Sequence, residues 1–233
     1  MTPAIAGLHS PDPSYGKSPQ AEIAITIDAL IDSLPSPQDL SADQRRGILA
    51  RYTAVLEGNF IYWMTAAYLA VKSDESRAII LDNLREEVRD SHPAMLRRFA
   101  TAAHAVPTDS DADAVARDLA NVRLFMGRLS AVPIVLTMAF FEGFIQRFMS
   151  FMAELADRQG SQEREYTDVH GVCDVAHTQG LFRALECEMA IDPSTSAMDL
   201  FEGVHLLQTL MQTVMFFEIA PGNVRMTGSL TTH

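Results

Sequence analysis

A chain of 233 residues, 48% hydrophobic and 21% charged, has the apolar material for one sizeable core, which argues against a disordered chain and for a single domain over residues 21–233. The formal net charge of −12, with 18 Lys and Arg scattered along the chain, disfavours a nucleic-acid partner, because binding phosphates needs clustered cations. The two cysteines, Cys173 and Cys187, form neither a disulfide framework nor a Cys-x-x-Cys zinc pair, so a reducing, cytoplasmic setting is expected.

Residues 1–20 are rich in Pro and Ser and lack a basic segment followed by an apolar one; a disordered tail is expected there, not a signal peptide. AEIAITIDALIDSL reads as a first helix stopped at Pro35-Ser36-Pro37. Ser41 with Gln44 is a capping box opening a long helix through Lys72 that carries Glu57. DESRAIILDNLREEVRD follows, with Ile79, Ile80 and Leu84 on its buried stripe and with Glu86 and Glu87 adjacent, so that at most one of the two faces fully inward. His92 precedes Pro93, which places a bend there and a new helical segment after it. VPTDSDAD is expected to turn, and Asp111 to Leu129 to form the next helix.

Leu129 to Phe141 is the most apolar run, but it falls short of the roughly twenty residues of a bilayer span and reads as a buried core helix, with no membrane association. Pro133 kinks or restarts the chain into a helix with Glu142 deep inside. A segment with VHGVCDVAHTQG runs to Asp192-Pro193, and a last helix spans roughly Ala197 to Ile219. Strand signals are lacking, so the expectation is an all-α, compact bundle of seven helices.

At about 100° per residue, His170, Asp174 and His177 fall within about 60° of one another on a helix. Three such groups on one face suit a metal, and imidazole with carboxylate favours iron, manganese or zinc over calcium. An exposed i,i+4 pair of His170 and Asp174 is the plainer alternative. Glu142 in TMAFFEGFI and Glu57 in AVLEGNFIYW are each the only charge in an apolar neighbourhood, and a buried carboxylate needs a partner that a shared metal would supply. His104 and His205 share no face with another candidate, and Cys173 is expected to point off the metal face as a small core residue.

The order Glu57, Glu87 with His92, Glu142, then His170-x3-Asp174-x2-His177 resembles the heme-oxygenase-like di-iron oxygenases, a seven-helix family that binds no haem. The likeness covers nearly all of the chain after the tail. EEVRDSH leaves both Glu86 and Glu87 open, with Glu87 preferred because NLREE aligns it with the family's Asn-Leu-x-x-Glu. The resemblance implies two iron ions held by Glu57, Glu87, His92, Glu142, His170, Asp174 and His177, with O2 as co-substrate and a peroxo di-ferric intermediate. It further implies N-oxygenation of a small amine or amino-acid-like metabolite, or else oxidative C–C cleavage of an amino acid or fatty acid, together with an external electron donor and a homodimer. Arg97, Arg98 and Arg147 are read as surface charge, and Tyr62, Trp63 and Phe144 as packing. A metal-free thiaminase-like enzyme would need a catalytic Cys or comparable acid/base pair, and a non-catalytic helical protein would tolerate loss of His177.

Overall fold

A helix that is apolar on every side is stable only where other helices enclose it. The stretch Ala131–Arg158 meets that condition, with 21 of its 28 residues buried. The computed structural model describes residues 18–193 and 196–217, so the expected tail lies, up to residue 17, outside the described residues. Among these residues are nine helices: α1 (Pro19–Asp32), α2 (Ala42–Leu56), α3 (Asn59–Ala70), α4 (Asp74–Arg89), α5 (His92–Ala102), α6 (Asp109–Met126), α7 (Ala131–Arg158), α8 (Glu165–Ile191) and α9 (Ala197–Phe216). The α7 helix packs against α8 along most of its length and touches α1, α2, α3, α5 and α9. Long and apolar enough to cross a membrane, α7 is instead the enclosed axis of the bundle.

The all-α class is as expected, but the helix count exceeds seven. The long helix expected over residues 42–72 is cut, because Gly58 adopts a left-handed conformation (φ 78°) and Glu57 before it leaves helical geometry. The bend expected at His92 is a full break: Ser91 has a positive φ of 57°, and Pro93 follows in the first turn of α5. Ser18 caps α1 and Pro19 starts it, so the helix reaches into the segment assigned to the tail. Helix α6 begins at Asp109, inside the expected turn, because Thr108 and Asp111 form a capping box there. Pro133 sits in the first turn of α7, where its missing N–H costs no bond, so it restarts the chain and does not kink it. The expected end of the last helix beyond residue 217 lies outside the described residues.

The register of α4 against α8 is set by a latch. Glu188 on α8 is buried, and its two carboxylate oxygens accept the backbone N–H groups of Lys72 (3.0 Å) and Ser73 (2.9 Å), just ahead of α4. One turn on, Ser76 Oγ donates to the carbonyl of Ala184 at 3.1 Å. The helices then run antiparallel, which brings Glu86 and Glu87 at the far end of α4 alongside His177 and His170. A carboxylate also suits the positive end of α4. Replacing Glu188 by Ala removes two charge-assisted hydrogen bonds and is expected to lower the unfolding free energy by about 3 kcal/mol. Urea unfolding should show this as a lower midpoint with an unchanged slope; an unchanged midpoint would mean that the latch is idle.

Candidate metal centre

Four helices deliver ionisable side chains to one buried region: Glu87 from α4, His92 from the start of α5, Glu142 from the middle of α7, and His170, Asp174 and His177 from α8. All three carboxylates are buried, at 4%, 1% and 0% exposure for Glu87, Glu142 and Asp174. The face expected on α8 exists, and its length divides the donors into two groups, because seven residues of helix rise about 10 Å from His170 to His177.

The first group is Glu87, His92 and His170, whose ligand-type atoms all lie within 4.8 Å of one another. Glu87 Oε1 is 2.8 Å from His92 Nδ1 and 4.0 Å from His170 Nε2, and the two imidazole rings meet edge to face at 4.6 Å. His170 Nδ1 donates to the carbonyl of Tyr166 one turn earlier (2.8 Å), which leaves Nε2 free of its proton and turned toward Glu87. The second group centres on His177, whose Nδ1 is 3.6 Å from both Glu142 Oε2 and Asp174 Oδ1. Asn83, four residues before Glu87 on α4, holds the other Glu142 oxygen at 2.7 Å. His177 Nε2 meets Glu86 Oε2 at 2.9 Å.

Two of the seven expected ligands need comment. Glu57 is not brought into the cluster: it ends α2 at the Gly58 break, is partly exposed and pairs with Arg97 of α5. The expectation that it lies buried among apolar neighbours is therefore corrected. Of the adjacent glutamates, Glu87 is the inward one, while Glu86 is 42% exposed and reaches His177. Cys173, expected to avoid the metal face, donates its thiol to Asp174 Oδ1 at 3.1 Å and groups with Asp174 and His177. As expected, Arg98 and Arg147 form surface ion pairs, with Glu165 and Asp28, and Trp63 packs edge-on against Phe141.

The protonation pattern follows from burial of so many groups together. Burial raises the carboxyl pKa of Glu87, and burial together with the charge of Glu142 raises that of Asp174. Burial opposes a charge on His92, but Glu87 outweighs it and raises the pKa. His177 is likewise raised, against burial, by Asp174, Glu142 and Glu86. His170, with its proton donor already engaged, is pushed down to about 4 by burial and by the charge of His92. The cluster thus holds protons in place of another cation.

Metal fits this donor set. Asp174 Oδ2 and His177 Nδ1 are buried with no hydrogen-bond partner among the described residues, an expensive condition for polar atoms. The 3.6 Å separations around His177 Nδ1 are too long for hydrogen bonds and close to the spacing of about 3 to 3.5 Å between two ligands of one metal ion bound at about 2.1 Å. Mixed carboxylate and imidazole donors suit iron. A cavity of about 20 Å³ touches both groups through Glu87, His92, His170 and Glu142 and is otherwise walled by apolar residues that include Leu56, Phe60 and Ile145. It has room for about one water-sized occupant.

A helical bundle with buried carboxylates and histidines gathered from four helices defines the class of metal-binding bundle proteins. Residues 49–210 match the family of iron-containing redox enzymes, within the haem-oxygenase-like superfamily, and the chain belongs to that family. It is accordingly an iron-binding oxidoreductase. No curated protein and no solved structure matches the chain.

Because His177 and Asp174 both hold protons more tightly than usual, metal must displace protons to bind. Iron affinity is therefore expected to rise with pH between 6 and 8, by about tenfold per unit for each proton displaced. Anaerobic Fe(II) titrations at three pH values, with proton release followed in weak buffer, check this. An affinity that does not change with pH would contradict the protonation pattern.

Proposed function

We propose that the protein is an O2-dependent non-haem di-iron oxygenase that N-oxygenates a small amine-bearing metabolite toward the hydroxylamine and nitro levels. The observation that carries the reading is the pair of adjacent donor groups, Glu87/His92/His170 and Glu142/Asp174/His177, the first lining one small cavity and the second bordering it through Glu142. Two sets of three ligands would hold two ions, and Glu142 of the second set borders the same cavity as Glu87 of the first. Glu57 remains a further candidate ligand through the family resemblance, although it lies at the Arg97 surface pair in this structure.

Bound iron would supply the electrons and the Lewis acidity that O2 activation requires. The chain's own part is positioning and exclusion of water. Asn83 fixes one Glu142 oxygen, and the Tyr166 carbonyl fixes the His170 ring, so both ligands are aimed before metal arrives. Leu56, Phe60 and Ile145 give the cavity apolar walls beside the ligand side chains, a surrounding that suits a small apolar gas such as O2. For the first oxygenation the balance is one amine, one O2, two electrons and two protons in, and one hydroxylamine and one water out. The two electrons come from an external donor, and a cytoplasmic homodimer completes the proposal.

The test is an oxygen electrode with product mass analysis, using Fe(II)-loaded protein, a chemical reductant and a panel of small amines and amino acids. O2 uptake that depends on one amine, with a product heavier by one oxygen atom, is expected. His177→Ala should reduce both by at least about 100-fold. A product that has lost carbon would replace N-oxygenation by C–C cleavage. Unchanged turnover in the variant would overturn the site assignment itself.

A further inference from the structure

Helix α2 carries a second buried charge that the metal centre does not use. Arg51 is 3% exposed, yet no carboxylate among the described residues is hydrogen-bonded to it. Its Nε donates to the carbonyl of Val214 on α9 at 2.9 Å, and its guanidinium faces the ring of Phe217 at 5.6 Å. It folds back over Gly47, where a Cβ would stand 2.7 Å from Nη1, so a glycine is needed for the guanidinium to lie there. Asp111, the acid whose charge acts on Arg51, is already held by Arg46 at 3.0 and 3.2 Å and by Thr108. The two Nη groups have no protein acceptor among the described residues and remain available as donors.

Arg51 borders a cavity of about 720 Å³ between the start of α2 and the end of α9. Its other walls include the apolar side chains of Pro35, Leu40, Met215, Phe216 and Phe217, while exposed Asp43 and Gln44 also border it. A planar fork of unused donors beside an apolar wall matches a molecule with a carboxylate at one end and a hydrocarbon or aromatic body at the other. We propose that this cavity is a binding site for a small organic carboxylate, held by its carboxylate on Arg51 and by its body along Leu40, Met215 and Phe216. The site shares no residue with the metal centre, so its occupancy does not depend on iron.

Calorimetric titration of the full chain, iron-free and iron-loaded, with hexanoate and phenylacetate tests this against hexanamide and phenylacetamide, which keep the body and lose the charge. One carboxylate per chain is expected to bind, equally well with and without iron, and at least tenfold more tightly than its amide. Arg51→Met should weaken the carboxylate at least tenfold. Leu40→Trp, which puts a bulky ring into the cavity wall without touching the guanidinium's own residue, should do the same if Arg51→Met fails to fold. Equal binding of acid and amide, or wild-type affinity in both variants, would overturn the proposal. Glu218 follows Phe217 in the sequence, and binding confined to a Glu218→Gln variant would also overturn the proposal, since the chain's own carboxylate would then be the group that Arg51 takes.

Discussion

Three carboxylates inside an apolar bundle are the constraint to which the rest of this structure answers. Each of Glu87, Glu142 and Asp174 would cost several kcal/mol if buried as an unpaired anion. The chain answers with three imidazoles, one amide and retained protons, spread over α4, α5, α7 and α8. The compensation is incomplete, because Asp174 Oδ2 and His177 Nδ1 still lack hydrogen-bond partners among the described residues. A fully compensated cluster would read as a structural network, whereas one that still lacks a cation reads as a site. Stability and function therefore meet in the same atoms: the metal that supplies the chemistry also supplies the missing charge.

Around this cluster the packing is arranged to hold direction. Tyr166 gives its backbone carbonyl to His170, and its ring packs against the same imidazole at 4.2 Å. Its hydroxyl bonds that of Tyr52 across the core at 2.9 Å, so each phenol has a partner. Burial raises the pKa of both phenols, which stay neutral. Phe99 and Phe148 complete an aromatic wall that limits movement of α2, α5, α7 and α8 against one another. The Glu188 latch fixes the remaining freedom, the sliding of α4 along α8.

Local periodicity made the α8 face legible from sequence, since His170, Asp174 and His177 need only a helix to converge. Glu142 was legible for a different reason: a lone charge in an apolar helix must find a partner. Glu57 looked the same by that criterion, but the Gly58-Asn59 that follows is a helix stop, and the left-handed turn carries the side chain outward to Arg97. Asn83 was missed although it stands one turn before Glu87 on the same face, a spacing that could have revealed it. Cys173 was placed off the face by helical angle alone, yet its thiol bonds the carboxylate of the adjacent Asp174. The division of the donors into two groups, and the pairing of Glu86 with His177, depend on how four helices register. No single stretch of sequence contains that information.

The most direct test of the central claim, that this cluster exists to hold two iron ions, is anomalous diffraction at the iron edge from crystals of the Fe(II)-loaded protein. Two iron peaks are predicted, one among Glu87, His92 and His170 and the other among Glu142, Asp174 and His177. A loaded protein whose iron lay elsewhere, or whose cluster stayed metal-free with its hydrogen bonds intact, would contradict it and leave the buried carboxylates as a purely structural network.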